Sequence, residues 1–236
     1  MNKYPVFIIS QGRDGSTLLL RLLNQIPGFN LYGENWNFLG QMMDINHYLN
    51  QIHYHHKEQI ISRFTYDEYE NTSSTFKPSW YNNYSIEDAN NNTKKYIESI
   101  LNPNNYRVWG CKEIRWGVDY WYFIENGINL IPYSEFKKRL DQIKVLYPNC
   151  KFIFTSRNLK NQLKSGWWKG HKISKKILQG LNEYHNSYIK TSNNSYSVTY
   201  EDILECNNNY KNLYKFLGEK FSYKSYKKII NRKAID

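Results

Sequence analysis

Cysteine is scarce in this chain of 236 residues. Its three cysteines, Cys111, Cys150 and Cys206, are too widely spaced for a disulfide framework or a zinc pattern. Long apolar runs are missing too, and none approaches the roughly eighteen residues of a membrane-spanning helix. The opening MNKYPVFIIS has too short an apolar stretch for a signal peptide and runs straight into a glycine loop. A reducing, cytoplasmic setting with no membrane span is the resulting expectation. Acidic residues are the third shortage: 21 Asp and Glu face 32 Lys and Arg, a net charge of +11. That balance suits an anionic partner such as nucleic acid, a phosphorylated cofactor or an acidic glycan. Compositional drift explains it equally well, because Asn, Lys, Ile and Tyr are abundant together.

What is present fits a globular chain, with 40% hydrophobic and 22% charged residues. Tyr4–Ser10 is a nearly continuous apolar run, the signature of a strand buried on both faces. The loop Gln11–Thr17 follows, then a helical stretch Leu18–Ile26 stopped by Pro27-Gly28. Further strands are predicted at Phe29–Tyr32, Tyr106–Ile114, Lys151–Ser156 and Tyr196–Tyr200. Helices are predicted over 38–62, 133–147, Leu159–Lys169, 173–190 and twice in the last forty residues. Strands alternating with helices predict an α/β fold: three P-loop-like layers with a mostly parallel central sheet flanked by helices. Residues 1–236 read as one domain, with 35–100 as a lid or acceptor-site elaboration. Ligands on such sheets bind beyond the carboxyl ends of the strands. Arg13, Glu34, Lys112 and Arg157 all fall there.

The loop Gly12-Arg-Asp-Gly-Ser-Thr17 has the chemistry of an oxyanion cradle. Its glycines allow close backbone approach, and amides opening the next helix face the ligand with the positive dipole end. Arg13 grips two oxygens at once, while Ser16 and Thr17 add hydroxyl donors. A nucleotide triphosphatase loop would read G-x-x-x-x-G-K-[ST]; here the Lys is missing and the spacing is shorter. The plain alternative is a tight turn with Ser16 as helix N-cap. A second piece is Ser156-Arg157 at a strand end, with Ser165 eight residues on in the following helix. Both side chains can reach one phosphate there, or they are simply an exposed Arg and a solvent-facing Ser. His53, His55 and His56 lack companions at metal spacing and read as a surface cluster. Trp167-Trp168 either stacks on a ligand or packs in the core.

Together, Arg-x-Gly-Ser-Thr-Leu after the first strand and strand-Arg-(seven residues)-Ser later resemble the sulfotransferase superfamily that uses 3′-phosphoadenosine 5′-phosphosulfate. The pattern is nearest the tyrosylprotein and bacterial branches and covers 4–34, 106–116, 151–169 and 196–205, but not 35–100. The resemblance implies that Arg13, Gly15, Ser16 and Thr17 hold the 5′-phosphosulfate, and that Arg157 and Ser165 hold the 3′-phosphate. It implies a catalytic Glu at Glu34, in Gly33-Glu34, and an active-site Lys at Lys112. Arg13 and Lys112 would stabilise the departing phosphate, with Glu34 as general base toward an acceptor hydroxyl on a carbohydrate, tyrosine or small molecule. No metal and no nucleic acid partner are expected. The basic Arg232-Lys233 reads as a solvated tail or a cofactor contact. Two rivals stay open on the residues alone: a P-loop kinase acting on a nucleotide or metabolite, and a non-catalytic nucleic-acid-binding protein. The acceptor and the oligomeric state are not legible.

Overall fold

The structure is a computed structural model that describes residues 3–61, 85–119, 129–170 and 172–231. Five parallel strands form its central sheet: β1 (Tyr4–Ile9), β2 (Phe29–Tyr32), β3 (Val108–Glu113), β6 (Lys151–Ser156) and β7 (Ser195–Thr199), in the order β2-β3-β1-β6-β7. β1 lies in the middle, paired with β3 at Ile8↔Lys112 and with β6 at Ile8↔Ile153. A separate antiparallel pair joins β4 (Val118–Asp119) to β5 (Asn129–Leu130).

The run read as buried on both faces is so because successive side chains of a strand point to opposite sides. Val6 and Ile8 meet α1 (Ser16–Leu23) through Leu19, Leu22 and Leu23. The same face is covered by α8 (Asn208–Leu217) and α9 (Tyr223–Ile230), through Leu213, Leu217, Tyr226 and Ile229. Phe7 and Ile9 face the opposite layer. There α2 (Phe38–Ile61) supplies Leu39 and Met43, and α3 (Ile86–Leu101) supplies Ile97 and Leu101. α4 (Tyr133–Leu146) and α6 (Ser174–Thr191) complete that layer through Phe136, Leu140 and Tyr188. The fold is therefore three-layered α/β with a parallel sheet, as the alternation predicts. The segment 35–100 contributes two helices to one of its layers. Among the described residues no helix is long and apolar enough to cross a membrane.

One element departs from expectation. The single helix predicted over Leu159–Lys169 is instead a short α5 (Leu159–Gln162) followed by a 3-10 turn at Gly166–Trp168. Gly166 breaks it: its φ is +56°, and a Cβ there would stand 2.8 Å from Nε of Arg13. Ser165 consequently sits in extended backbone before that turn rather than on a helix. At the last strand, predicted to run to Tyr200, Thr199 already caps the following helix, α7 (Tyr200–Glu205), in a capping box with Asp202.

Candidate active site

The loop between β1 and α1 is folded around Asp14, whose side chain is fully buried. Its carboxylate accepts from the Ser10 hydroxyl at 2.9 Å, the Thr155 hydroxyl at 2.7 Å and the amides of Gln11 (2.8 Å) and Ser16 (3.2 Å). These bonds pull the chain into three left-handed residues, Gly12, Arg13 and Gly15, at φ 75°, 58° and 86°. At Gly15 only glycine fits, because a Cβ would lie 2.3 Å from the Tyr200 ring. The ring of Trp167 covers Gly12 in the same way, 2.5 Å from where a Cβ would stand. Ser16 is buried, and its hydroxyl lies 2.8 Å from that of Ser10. What α1 presents outward is therefore its next amides, those of Thr17 and Leu18, which a helix start leaves without intrahelical partners. The Thr17 hydroxyl beside them accepts from Lys112, and the Arg13 side chain reaches Ser165.

One flank of this helix start is built by Arg13, Ser165 and Arg157. Nε of Arg13 donates to Ser165 Oγ at 3.2 Å, and Nη1 of Arg157 donates to the Arg13 carbonyl at 3.4 Å. The Arg157 guanidinium lies 4.5 Å above the Tyr200 ring. Its Nε is buried and has no hydrogen-bond partner among the described residues. Such an orphaned charged donor fits an anion at that place. The segment after β6 is tied to the loop by Gln162 and Trp168, which both donate to the Gly12 carbonyl, at 2.8 and 3.2 Å. Trp168 is thus buried structure, while Trp167 stays 39% exposed on the loop.

The other flank joins the ends of β2 and β3. Lys112, 5% exposed, bonds to Thr17 Oγ1 at 3.3 Å and pairs with Oε1 of Glu34. Arg115 approaches the other oxygen, Oε2, at 3.5 Å. The same guanidinium donates at 2.7 Å to Glu113, a carboxylate with no solvent exposure. Glu113 also accepts from the amides of Ile114 (2.8 Å) and Arg115 (3.2 Å) on Oε1, and of Asn35 (3.3 Å) and Asn37 (2.8 Å) on Oε2. Trp36 and Asn37, the next residues of this turn, are both left-handed at φ 58° and 59°. Trp36 is 66% exposed beneath the Arg115 guanidinium.

Six of the residues singled out from the sequence thus lie around one helix start: Arg13, Ser165 and Arg157 to one side, Thr17, Lys112 and Glu34 to the other. Sequence reasoning passed over Asp14, Glu113 and Arg115. Asp14 had a signal, since Asp two residues before a helix start makes Asx-type bonds to nearby amides. Glu113 had a weaker one, an acidic residue continuing an apolar strand straight after Lys112. Arg232, Lys233 and the tyrosines of 65–84 lie outside the described residues, as do the side chains of His55 and His56. Cations ringing a helix N-terminus suit a ligand with several anionic groups, and Glu34 stands among them, paired with Lys112.

Comparison with known proteins bears on the family and the fold. The family model described as "Sulfotransferase family" matches residues 5–223, which includes the stretch 35–100. Among solved structures, the sulfotransferase domain of the Synechococcus PCC 7002 olefin synthase matches with a TM-score of 0.50 at 18% identity, covering 100% of this chain and 79% of that one. This likeness supports the fold. Sulfotransferase STF1 of Mycobacterium tuberculosis H37Rv matches at 14% identity and TM-score 0.42, over 99% of this chain and 72% of that one. No curated protein matches the chain. With nearly its whole length matched by that model, the chain belongs to the sulfotransferase family.

Proposed function

We propose that the chain moves a sulfuryl group from 3′-phosphoadenosine 5′-phosphosulfate to a hydroxyl on a carbohydrate, a tyrosine or a small molecule. The observation that carries this reading is the pairing of two flanks on one helix start, cations with an orphaned Arg157 Nε on one side and Glu34 on the other. Arg13, Gly15 and Thr17 hold the 5′ end together with the outward α1 amides; Ser16 serves from beneath the loop, its hydroxyl turned to Ser10 and its amide to Asp14. Arg157 and Ser165 hold the 3′-phosphate.

When bound, the donor supplies the sulfuryl group together with a phosphate leaving group. Arg13, Lys112 and the α1 amides stabilise the charge that grows on that phosphate, each preorganised donor contributing about 3–4 kcal/mol. Glu34 takes the proton of the acceptor hydroxyl, worth about 10²–10⁴-fold in rate. Lys112, bonded to both Thr17 and Glu34, couples the two flanks. A leaving phosphate surrounded by cations and amides calls for no metal. Residues 1–236 act in this reading as one domain, and 35–100, which begins beside Trp36, shapes the acceptor side.

The test is nucleotide binding. The wild-type chain should bind 3′-phosphoadenosine 5′-phosphate saturably, and Arg157→Ala should weaken it by about one to two decades, the worth of a charge-assisted Arg–phosphate contact. Adenosine 5′-phosphosulfate, without a 3′-phosphate, should bind both proteins alike. Equal losses for the two nucleotides would move Arg157 to the 5′ end, and no binding of either would remove the donor.

A further inference from the structure

We infer that Glu113 is a positioning residue for Glu34: it holds back the Arg115 guanidinium and fixes the turn that follows Glu34. The inference rests on the reading that Glu34 receives the acceptor's proton.

Glu113 ends a strand that is buried throughout, and its carboxylate sees no solvent. A buried charge is tolerated only where hydrogen bonds replace its hydration. Here five donors do so, and they divide by loop. Oε1 takes the amides of Ile114 and Arg115 and the Arg115 Nη1, all from the segment after β3. Oε2 takes the amides of Asn35 and Asn37, both from the segment after β2. One carboxylate therefore clamps together the two segments that surround Glu34.

The clamp explains two further observations. Consecutive left-handed backbone at Trp36 and Asn37 is unfavourable for residues with a Cβ and persists only where the surroundings over-determine it. Amides donated to Glu113 on either side of Trp36 supply that constraint. The second observation is the asymmetry of Arg115, whose Nη1 lies 2.7 Å from Glu113 but 3.5 Å from Glu34 Oε2. Because Lys112 engages Oε1 of Glu34, Oε2 is the oxygen left to meet an acceptor hydroxyl. Were Glu113 uncharged, the Arg115 guanidinium, already 3.5 Å from Oε2 of Glu34, would be released to close on that oxygen and occupy it.

Glu113→Gln keeps the shape and removes the charge. The assay is release of 3′-phosphoadenosine 5′-phosphate from the donor, with water and then 4-nitrophenol as acceptors, beside titration of the same nucleotide. Nucleotide affinity should stay within about twofold, while release falls by about 10²-fold, the scale of an ångström-level misplacement. In a Glu34→Gln background the further change Glu113→Gln should cost almost nothing, because both act through one group. Adding Arg115→Gln to Glu113→Gln should restore part of the rate, which no merely structural role predicts. Should Glu113→Gln fail to fold, Glu113→Asp carries the test: it keeps the charge but is too short to span both segments, and its loss should again vanish in the Glu34→Gln background. Losses that add, or nucleotide affinity falling in step with rate, would overturn the inference and leave Glu34 in place. A wild-type rate in Glu34→Gln alone would remove the base, and this inference with it.

Discussion

The two flanks of the helix start are built on opposite plans. Around Arg157 the side chains touch lightly: contacts of 3.2 and 3.4 Å, and a guanidinium resting on an aromatic ring with one nitrogen unsatisfied. Around Glu34 the charges are interlocked, each carboxylate engaged by Lys112 or Arg115 and backed by the buried Glu113. A flank with unspent donors is prepared to receive its bonds from a ligand. A flank whose bonds are already made is prepared to keep one group in one orientation. On the proposed reading, binding and chemistry therefore separate in space, with Lys112 and Thr17 as the seam between them.

The largest expected effect breaks the comparison on the chemical side. Glu34→Gln should lower turnover by about 10²–10⁴-fold and leave titration of 3′-phosphoadenosine 5′-phosphate unchanged. A loss of nucleotide affinity of the same order would mean that the flanks are not separate. An intermediate effect comes from beneath both. Asp14→Asn places an amide N–H₂ among four donors, so whichever way it turns a hydrogen bond is lost. A bond to a charged group contributes about 1.5–3 kcal/mol. The thermal midpoint should therefore drop by roughly 4–10 °C, with nucleotide binding falling too. An unchanged midpoint with intact binding would show that the loop does not depend on its buried carboxylate. The smallest effect sharpens the binding side: Ser165→Ala removes one acceptor from Arg13 and should weaken the nucleotide by about two- to tenfold, in keeping with a bond of about 0.5–1.5 kcal/mol. A loss as large as that of Arg157→Ala would make Ser165 an organiser of the loop rather than a light contact.

Much of this site was legible because its residues fall at strand ends, and strand ends are marked by where an apolar run stops. Arg13, Glu34, Lys112 and Arg157 were found that way. The hydroxyl of Ser16 was assigned outward, since loop composition alone does not say which face of a first helical turn is buried. Ser165 was placed on a helix because Leu159, Leu163 and Trp167 keep helical spacing. At Gly166 the Arg13 side chain fills the space a Cβ would need, a contact between residues far apart in the chain that helical spacing does not record. Asp14, Glu113 and Arg115 were passed over for a related reason. Their roles lie in bonds to backbone amides and to one another, which periodicity does not record.

The position of β1 has a consequence for how the site behaves in time. The anion loop hangs from the innermost strand, paired on both sides and buried over nearly its whole length. Amides in such a strand exchange with solvent only when the whole domain opens. The turn carrying Glu34 hangs instead from β2, four residues long and at the edge of the sheet. Edge elements open locally at lower cost. On the proposed reading the nucleotide loop thus rests on the strand that opens last, and the turn carrying Glu34, though clamped to Glu113, on a strand that opens sooner, which favours an order of events in which the donor is seated first.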